Sequence, residues 1–315
     1  MKRFYIFLST LLILSFSSVI HAEENLDRVR YGKENIDGIN IFYREAGDPS
    51  KKAVVLLHGF PTSSHMYREV LAELGDEFYL IAPDYPGYGD SDFPAQSEYT
   101  YTFDNIAETM DQFLIKRGLK NYTLMIQDYG APIGFRIATK HPEKVSGFVV
   151  MNGNAYEEGL SPEGWAPIMK YWKDKNQPEL EKTIAEQVFS LEGLKWQYTH
   201  GTRNPDAILP DNWNIDFMKF SREGQHQMQL DMFFDYQNNL KLYPSWQKYL
   251  EKNQPPMLLV WGKNDAFFTE SGAKGYKRHV KDIDYNILDT GHFALEEEGE
   301  FIINKMRHFL NKKVK

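Results

Sequence analysis

Apolar residues in this chain fall at two spacings, and the two spacings alternate. "GINIFYREAG" and "AVVLLHGFP" are short runs of strand type. "SHMYREVLAEL" repeats its apolar residues at helical spacing, and "FYLIAPDYPGYGDSD" is a strand that enters a glycine-rich loop. "TFDNIAETMDQFLIKRGL" reads as an amphipathic helix that stops at Gly118. The segment "LMIQDYGAPIG" then reads as a buried strand, a sharp turn and the start of the helix "PIGFRIATKHP", followed by the strand "VSGFVVMNGN". Short apolar strands alternating with helices imply an α/β fold, with a mostly parallel sheet covered by helices on both faces.

The alternation stops near Asn154. Residues 155–243 carry helical patterns, no clear strand, and four of the six tryptophans: Trp165, Trp172, Trp196 and Trp213. It resumes with "PPMLLVWGKND", a helix, "IDYNILDTG" and a closing helix to about Leu310. The expected organisation is a core in two parts, 23–154 and 244–315, with a helical cap at 155–243 inserted after about the sixth strand. A cap placed there covers the carboxyl ends of the strands, where open α/β sheets bind ligands.

The N-terminus follows a different rule. Lys2 and Arg3 precede the apolar run "FYIFLSTLLILSFSSVI", and "HA" ends at Ala22. This is the pattern of a signal peptide over residues 1–22, and it predicts a secreted or periplasmic protein. The run is short and broken by serines, which favours cleavage over anchoring. No later stretch is apolar enough to span a bilayer, so no stable membrane span is expected after cleavage.

Composition narrows the chemistry. The formal charge is −8, so no basic field favours nucleic acid. There is no cysteine, hence no disulfide and no thiolate metal site. His65, His141, His200, His226, His279 and His308 show no paired ligand spacing, so neither a metal nor a cofactor is expected. "EEEGE" at Glu296–Glu300 reads as a solvated helix start favoured by the helix dipole. The expected partners are a small hydrophobic substrate and water; the sequence is also compatible with a homo-oligomer.

Three residues apt for catalysis end three of the strands. Asp128 follows "TLMIQ", Asp265 follows "MLLVWGKN" and His292 follows "YNILDTG". Nucleophile, acid, histidine is the chain order of α/β-hydrolases. Together with "HGFP" at His58–Pro61, "DYPGYGDSD" at Asp84–Asp92, "QDYG" at Gln127–Gly130, "GKND" at Gly262–Asp265 and "GHF" at Gly291–Phe293, the chain resembles the α/β-hydrolase branch of epoxide hydrolases and haloalkane dehalogenases. The likeness covers roughly residues 40–310.

That resemblance gives the aspartate its chemistry. A carboxylate needs no activation and can displace a leaving group from a saturated carbon, leaving an alkyl ester of Asp128. His292 then takes a proton from the water that hydrolyses the ester, and Asp265 orients its ring. The oxyanion hole would be the backbone N–H groups of Phe60 and Tyr129. His58 is expected to be structural, and the Phe60–Pro61 bond cis.

The leaving group decides between activities. Dehalogenases hold halide with a tryptophan after the nucleophile and often an asparagine after "HG"; here those positions are Tyr129 and Phe60. Fluoroacetate dehalogenases carry arginines one and four residues after the nucleophile; here those are Tyr129 and Pro132. Arg136 is expected on the outer part of its helix. Epoxide hydrolases protonate the departing oxygen with cap tyrosines. "DYQNN" resembles the segment carrying one of these and maps it to Tyr236; "KYWKDKNQPELEK" maps the other to Tyr171, with Tyr156 in reserve. Ile126 and Gln127 lean toward dehalogenases, but they shape the turn and do not hold the leaving group. The expectation is an exported epoxide hydrolase, with haloalkane dehalogenase, ester or lactone hydrolase, and a non-catalytic binding protein as successive alternatives.

Overall fold

The computed structural model describes residues 28–315, so the signal peptide expected over residues 1–22 lies outside the described residues. Eight strands form one sheet: β1 (Arg30–Ile36), β2 (Ile39–Ala46), β3 (Ala53–Leu57), β4 (Tyr79–Pro83), β5 (Tyr122–Gln127), β6 (Val145–Met151), β7 (Met257–Gly262) and β8 (Ile283–Leu288). Their order is β1-β2-β4-β3-β5-β6-β7-β8. β2 runs antiparallel to β1 and β4, and the pairs from β4 to β8 are parallel. β1, "RYGKENI", escaped the sequence reading because its polar residues leave it largely exposed at the sheet edge.

Strand parity sorts the core onto the two faces of the sheet. Val55, Leu57, Leu124, Ile126, Phe148 and Val150 point to one face, and Val54, Leu56, Met125, Val149 and Met151 to the other. The first face is covered by α2 (Phe103–Lys116) and α3 (Gly130–Lys140), the second by α1 (Arg68–Leu74) and α11 (Ala294–Lys312). Thr102 caps α2 by accepting from the Asn105 N–H, and Gly118 ends that segment at φ +73°.

The cap follows β6. It comprises α4 (Pro162–Lys173), α5 (Pro178–Ile184), a π-helical turn at Ala185–Phe189, α6 (Leu191–Thr199), α7 (Asp211–Phe220), α8 (Gln225–Asp235) and the start of α9 (Gln237–Asn253). α9 carries the chain across residue 243 without a break. Its Trp246 stacks on Phe135 of α3, with ring centroids 5.4 Å apart, so its second half belongs to the core. α10 (Glu270–Tyr276) then links β7 to β8. Among the described residues no helix is long and apolar enough to cross a membrane.

Two polar features are more engaged than their sequence suggests. The "EEEGE" stretch is not a solvated helix start. Glu296 takes two hydrogen bonds from Arg68, and Glu297 accepts from the backbone N–H groups of Arg203 and Asn204. The acidic turn therefore ties a cap loop and α1 to α11, a long-range pairing that local sequence cannot reveal. Arg136 is likewise not on an outer surface. It lies between α2, α3 and α9, bonded to Asp104 and Asn239, with its side chain 10% exposed.

Candidate active site

The turn between β5 and α3 places Asp128 at the carboxyl edge of the sheet. Its φ is +49°, a left-handed conformation that a non-glycine residue adopts only where its surroundings enforce it. Gly130 makes the turn sterically feasible: a Cβ there would lie 2.1 Å from the Leu57 carbonyl oxygen. The strained turn lifts the Asp128 side chain out of the sheet and under the cap.

The two oxygens of Asp128 have different partners. Oδ1 accepts from the Phe60 N–H at 2.7 Å and the Tyr129 N–H at 2.5 Å. Oδ2 lies 3.8 Å from His292 Nε2. The two N–H groups expected to form an oxyanion hole thus both converge on Oδ1. The Phe60–Pro61 peptide is cis. Burial pushes the Asp128 carboxyl up to about 6, against the lowering pull of His292 and the two N–H groups.

His292 and Asp265 complete the set. His292 Nδ1 donates to Asp265 Oδ2 at 2.7 Å. Asp265 is held in turn by the Phe267 and Phe268 N–H groups on Oδ1 and by Asn152 Nδ2 on Oδ2, at 2.7, 3.1 and 2.7 Å. Burial draws the His292 pKa down, but Asp265 and Asp128 outweigh it and hold the imidazole above its ordinary value. Asn152 was missed in the sequence, although a polar residue ending the buried strand "VSGFVVM" carries the same signal as Asp128 and Asp265. His58 is structural, as expected. Its ring stacks on Tyr85 at 3.9 Å, its Nε2 accepts from the Tyr85 N–H, and burial pushes its pKa down to about 3.

A cavity opens over Asp128, His292, Phe60 and Tyr129, roofed by Trp165, Ile168, Ile184 and Phe233 of the cap. Its volume is ≈ 60 Å³, against roughly 10–15 Å³ needed to hold one water, so it suits a compact, mostly apolar molecule.

The three cap tyrosines expected at the leaving group do not line this cavity. Tyr171 donates to Glu181 at 2.9 Å, and the Tyr156 hydroxyl lies 3.1 Å from His279 Nδ1. Tyr236 stands one layer behind the wall, packed on Trp165 at 4.4 Å, with its hydroxyl 3.4 Å from that of Tyr243. Helical segments place their side chains by cap packing, which motif similarity does not specify. Tyr129 is among the lining residues; its hydroxyl is itself buried and has no hydrogen-bond partner among the described residues. The Trp165 indole N–H is committed to the Phe267 carbonyl.

Residues 52–299 match the family model of the alpha/beta hydrolase fold. An uncharacterized hydrolase of Saccharomyces cerevisiae is 40% identical over 261 residues, covering 82% of this chain and 89% of the yeast protein. A cis-3-alkyl-4-alkyloxetan-2-one decarboxylase of Shewanella oneidensis is 27% identical over 82% of this chain and 81% of its own length. Haloalkane dehalogenase 2 of Mycobacterium tuberculosis is 28% identical over 68% of this chain and 72% of its own. The chain is a hydrolase of the alpha/beta hydrolase fold family, in the branch that holds the epoxide hydrolases and haloalkane dehalogenases.

Proposed function

We propose that this protein is an exported epoxide hydrolase that opens a compact, uncharged epoxide through an alkyl ester of Asp128. The observation that carries the reading is the split environment of that carboxylate. Oδ1 sits between two N–H donors, and Oδ2 is left beside His292 under the cavity. Oδ2 attacks the ring carbon. The carbon–oxygen bond breaks, and the departing oxygen takes a proton from the Tyr129 hydroxyl. Burial raises the pKa of that hydroxyl well above its ordinary value, so it remains a donor at neutral pH. Water, deprotonated by His292, then attacks the Asp128 carboxyl carbon, and negative charge develops on Oδ1 within the oxyanion hole. On collapse the alkyl oxygen leaves with the proton held by His292, and the second water proton, left on Asp128, restores the Tyr129 hydroxyl.

An oxygen leaving group is favoured over halide by what the N–H groups of the wall already do. The Trp165 indole is bonded to Phe267, and the Phe60 and Tyr129 amides serve Asp128. Export rests on the basic start, apolar run and "HA" of residues 1–22.

The test is a panel of terminal epoxides, matched 1-haloalkanes and small lactones, with diol, halide and acid as readouts. His292→Gln, exposed to a turned-over substrate, should retain the alkyl group on Asp128, visible by intact mass. Halide release without diol formation would replace the epoxide reading with dehalogenation. Wild-type turnover by His292→Gln would remove the base.

A further inference from the structure

Gln127 is the last residue of β5, immediately before the nucleophile, and the steps above give its side chain no task. It is fully buried. Its Nε2 lies 2.9 Å from Nε2 of His292, the ring nitrogen that must take the proton from water. Its Oε1 has no partner among the described residues. The amide is wedged under the "HG" turn, where a Cβ on Gly59 would come within 2.1 Å of that oxygen. A primary amide sealed into such a place with half its hydrogen-bonding capacity unused is unfavourable for stability alone.

The hydrogen-bond logic at His292 fixes what this amide can do. Nδ1 carries a proton and donates it to Asp265. A neutral ring then has its lone pair on Nε2, and the Gln127 N–H can donate to it. An imidazolium has a proton there instead, and would meet the amide donor to donor. We propose that Gln127 is a positioning residue that holds His292 in the neutral form protonated on Nδ1, with Nε2 kept ready as the base. Its use in turnover rests on the alkyl-ester reading; its effect on the ring does not.

The need for such a group follows from the charges around the ring. The charged groups facing His292 are Asp265, from the loop after β7, and Asp128, from the turn after β5. Its other neighbours are the rings of Phe267, Phe268 and Phe293. Both carboxylates favour the imidazolium, and a histidine already protonated cannot accept a proton from water. Gln127 is a neutral donor that opposes them. Once Asp128 is esterified its charge is gone, and water displaces the amide from Nε2. One water proton passes to Nε2 while the water oxygen bonds to the Asp128 carboxyl carbon. The tetrahedral species then collapses, breaking the bond to the alkyl oxygen, which leaves with the proton from Nε2. In the interval the Gln127 amide can turn its free Oε1 toward the Nε2 proton.

The experiment is nitrogen NMR on the full chain labelled in histidine and glutamine, with no substrate. In the wild type on the basic side of the His292 titration, a nitrogen–nitrogen coupling is expected between Gln127 Nε2 and His292 Nε2. Gln127→Met keeps the volume and removes the N–H. It should raise the His292 protonation midpoint by about half to one pH unit, the scale of one net amide hydrogen bond. Gln127→Glu should raise it further, because a carboxylate favours the imidazolium. The acid limb of turnover should move with the midpoint. Absence of the coupling in the wild type, or a midpoint unmoved in folded Gln127→Met, overturns the proposal. Because this readout needs no substrate, failure to find an Asp128 adduct would sink the ester reading and leave this result standing on its own.

Discussion

The raised pKa of Asp128 makes a prediction about stability as well as activity. Asp128→Asn keeps the side-chain shape and an oxygen able to accept the Phe60 and Tyr129 N–H groups, but it removes the charge. The wild-type carboxyl moves from an ordinary 3.8 to about 6 in the fold, because burial disfavours the ion. The folded state therefore binds this proton more tightly than the unfolded state does, and ionising Asp128 weakens the fold. The penalty is absent below pH 3.8, grows between 3.8 and about 6, and is complete above that. A displacement of roughly two units at about 1.4 kcal/mol per unit gives a ceiling of ~3 kcal/mol at pH 8. Asp128→Asn should thus be inactive yet more stable at pH 8, with the gain fading as pH falls toward 4. For a chain of this size, each kcal/mol corresponds to about 2–4 °C in Tm. Urea unfolding of both proteins across pH 4 to 8 measures the difference directly. A variant less stable than wild type at pH 8, or a difference independent of pH, would refute the burial argument. Formation of the alkyl ester should share the same titration, with its single-turnover rate falling below about pH 6.

Tyr129→Phe should lower epoxide opening about 10- to 1000-fold, the range for losing acid assistance or one transition-state hydrogen bond. Tyr236→Phe should change it less than about 3-fold, because that hydroxyl lies behind the wall; steady-state diol formation by the two variants separates them, and the reverse ranking would return the role to the cap. N-terminal sequencing of protein from its native host should find a mature chain lacking residues 1–22, and a cytosolic chain beginning at Met1 would remove the export proposal.

The parts of this protein legible in its sequence are those governed by local periodicity and by strand ends. β3, β5, β6 and β7 are mostly apolar runs, and each of Asp128, Asp265 and His292 follows a strand, so the order and spacing of these three residues are readable without any long-range contact. What stayed illegible depends on contacts between distant segments. The role of Glu297 as an acceptor for the 203–204 loop lies more than ninety residues away in sequence. The placement of the cap tyrosines, off the cavity lining, depends on contacts of the same kind. Tyr236 belongs to a segment resembling one in epoxide hydrolases, but whether its hydroxyl reaches the cavity depends on how Trp165 packs in front of it. The Tyr129 ring is held by packing as well, against Phe60, Phe103, Phe233 and Tyr236. The elbow that sets Asp128 also sets its neighbour on the wall.

The same elbow accounts for how one carboxylate serves two opposed steps. In the first, Asp128 loses charge as it attacks, so N–H donors on it hold back the reaction. In the second, its carbonyl oxygen gains charge, and the same donors accelerate it, each worth typically 2.7–4 kcal/mol. Here both backbone donors converge on Oδ1, while Oδ2 faces His292. The attacking oxygen is thereby left less stabilised than the one that will become the oxyanion. Burial adds to this: a carboxylate pushed up to about 6 is a stronger nucleophile than one at 3.8, while still ionised at neutral pH. The conditions that make ionised Asp128 unfavourable for folding are therefore the ones that make it reactive, and Asp128→Asn should separate the two by gaining stability and losing turnover together.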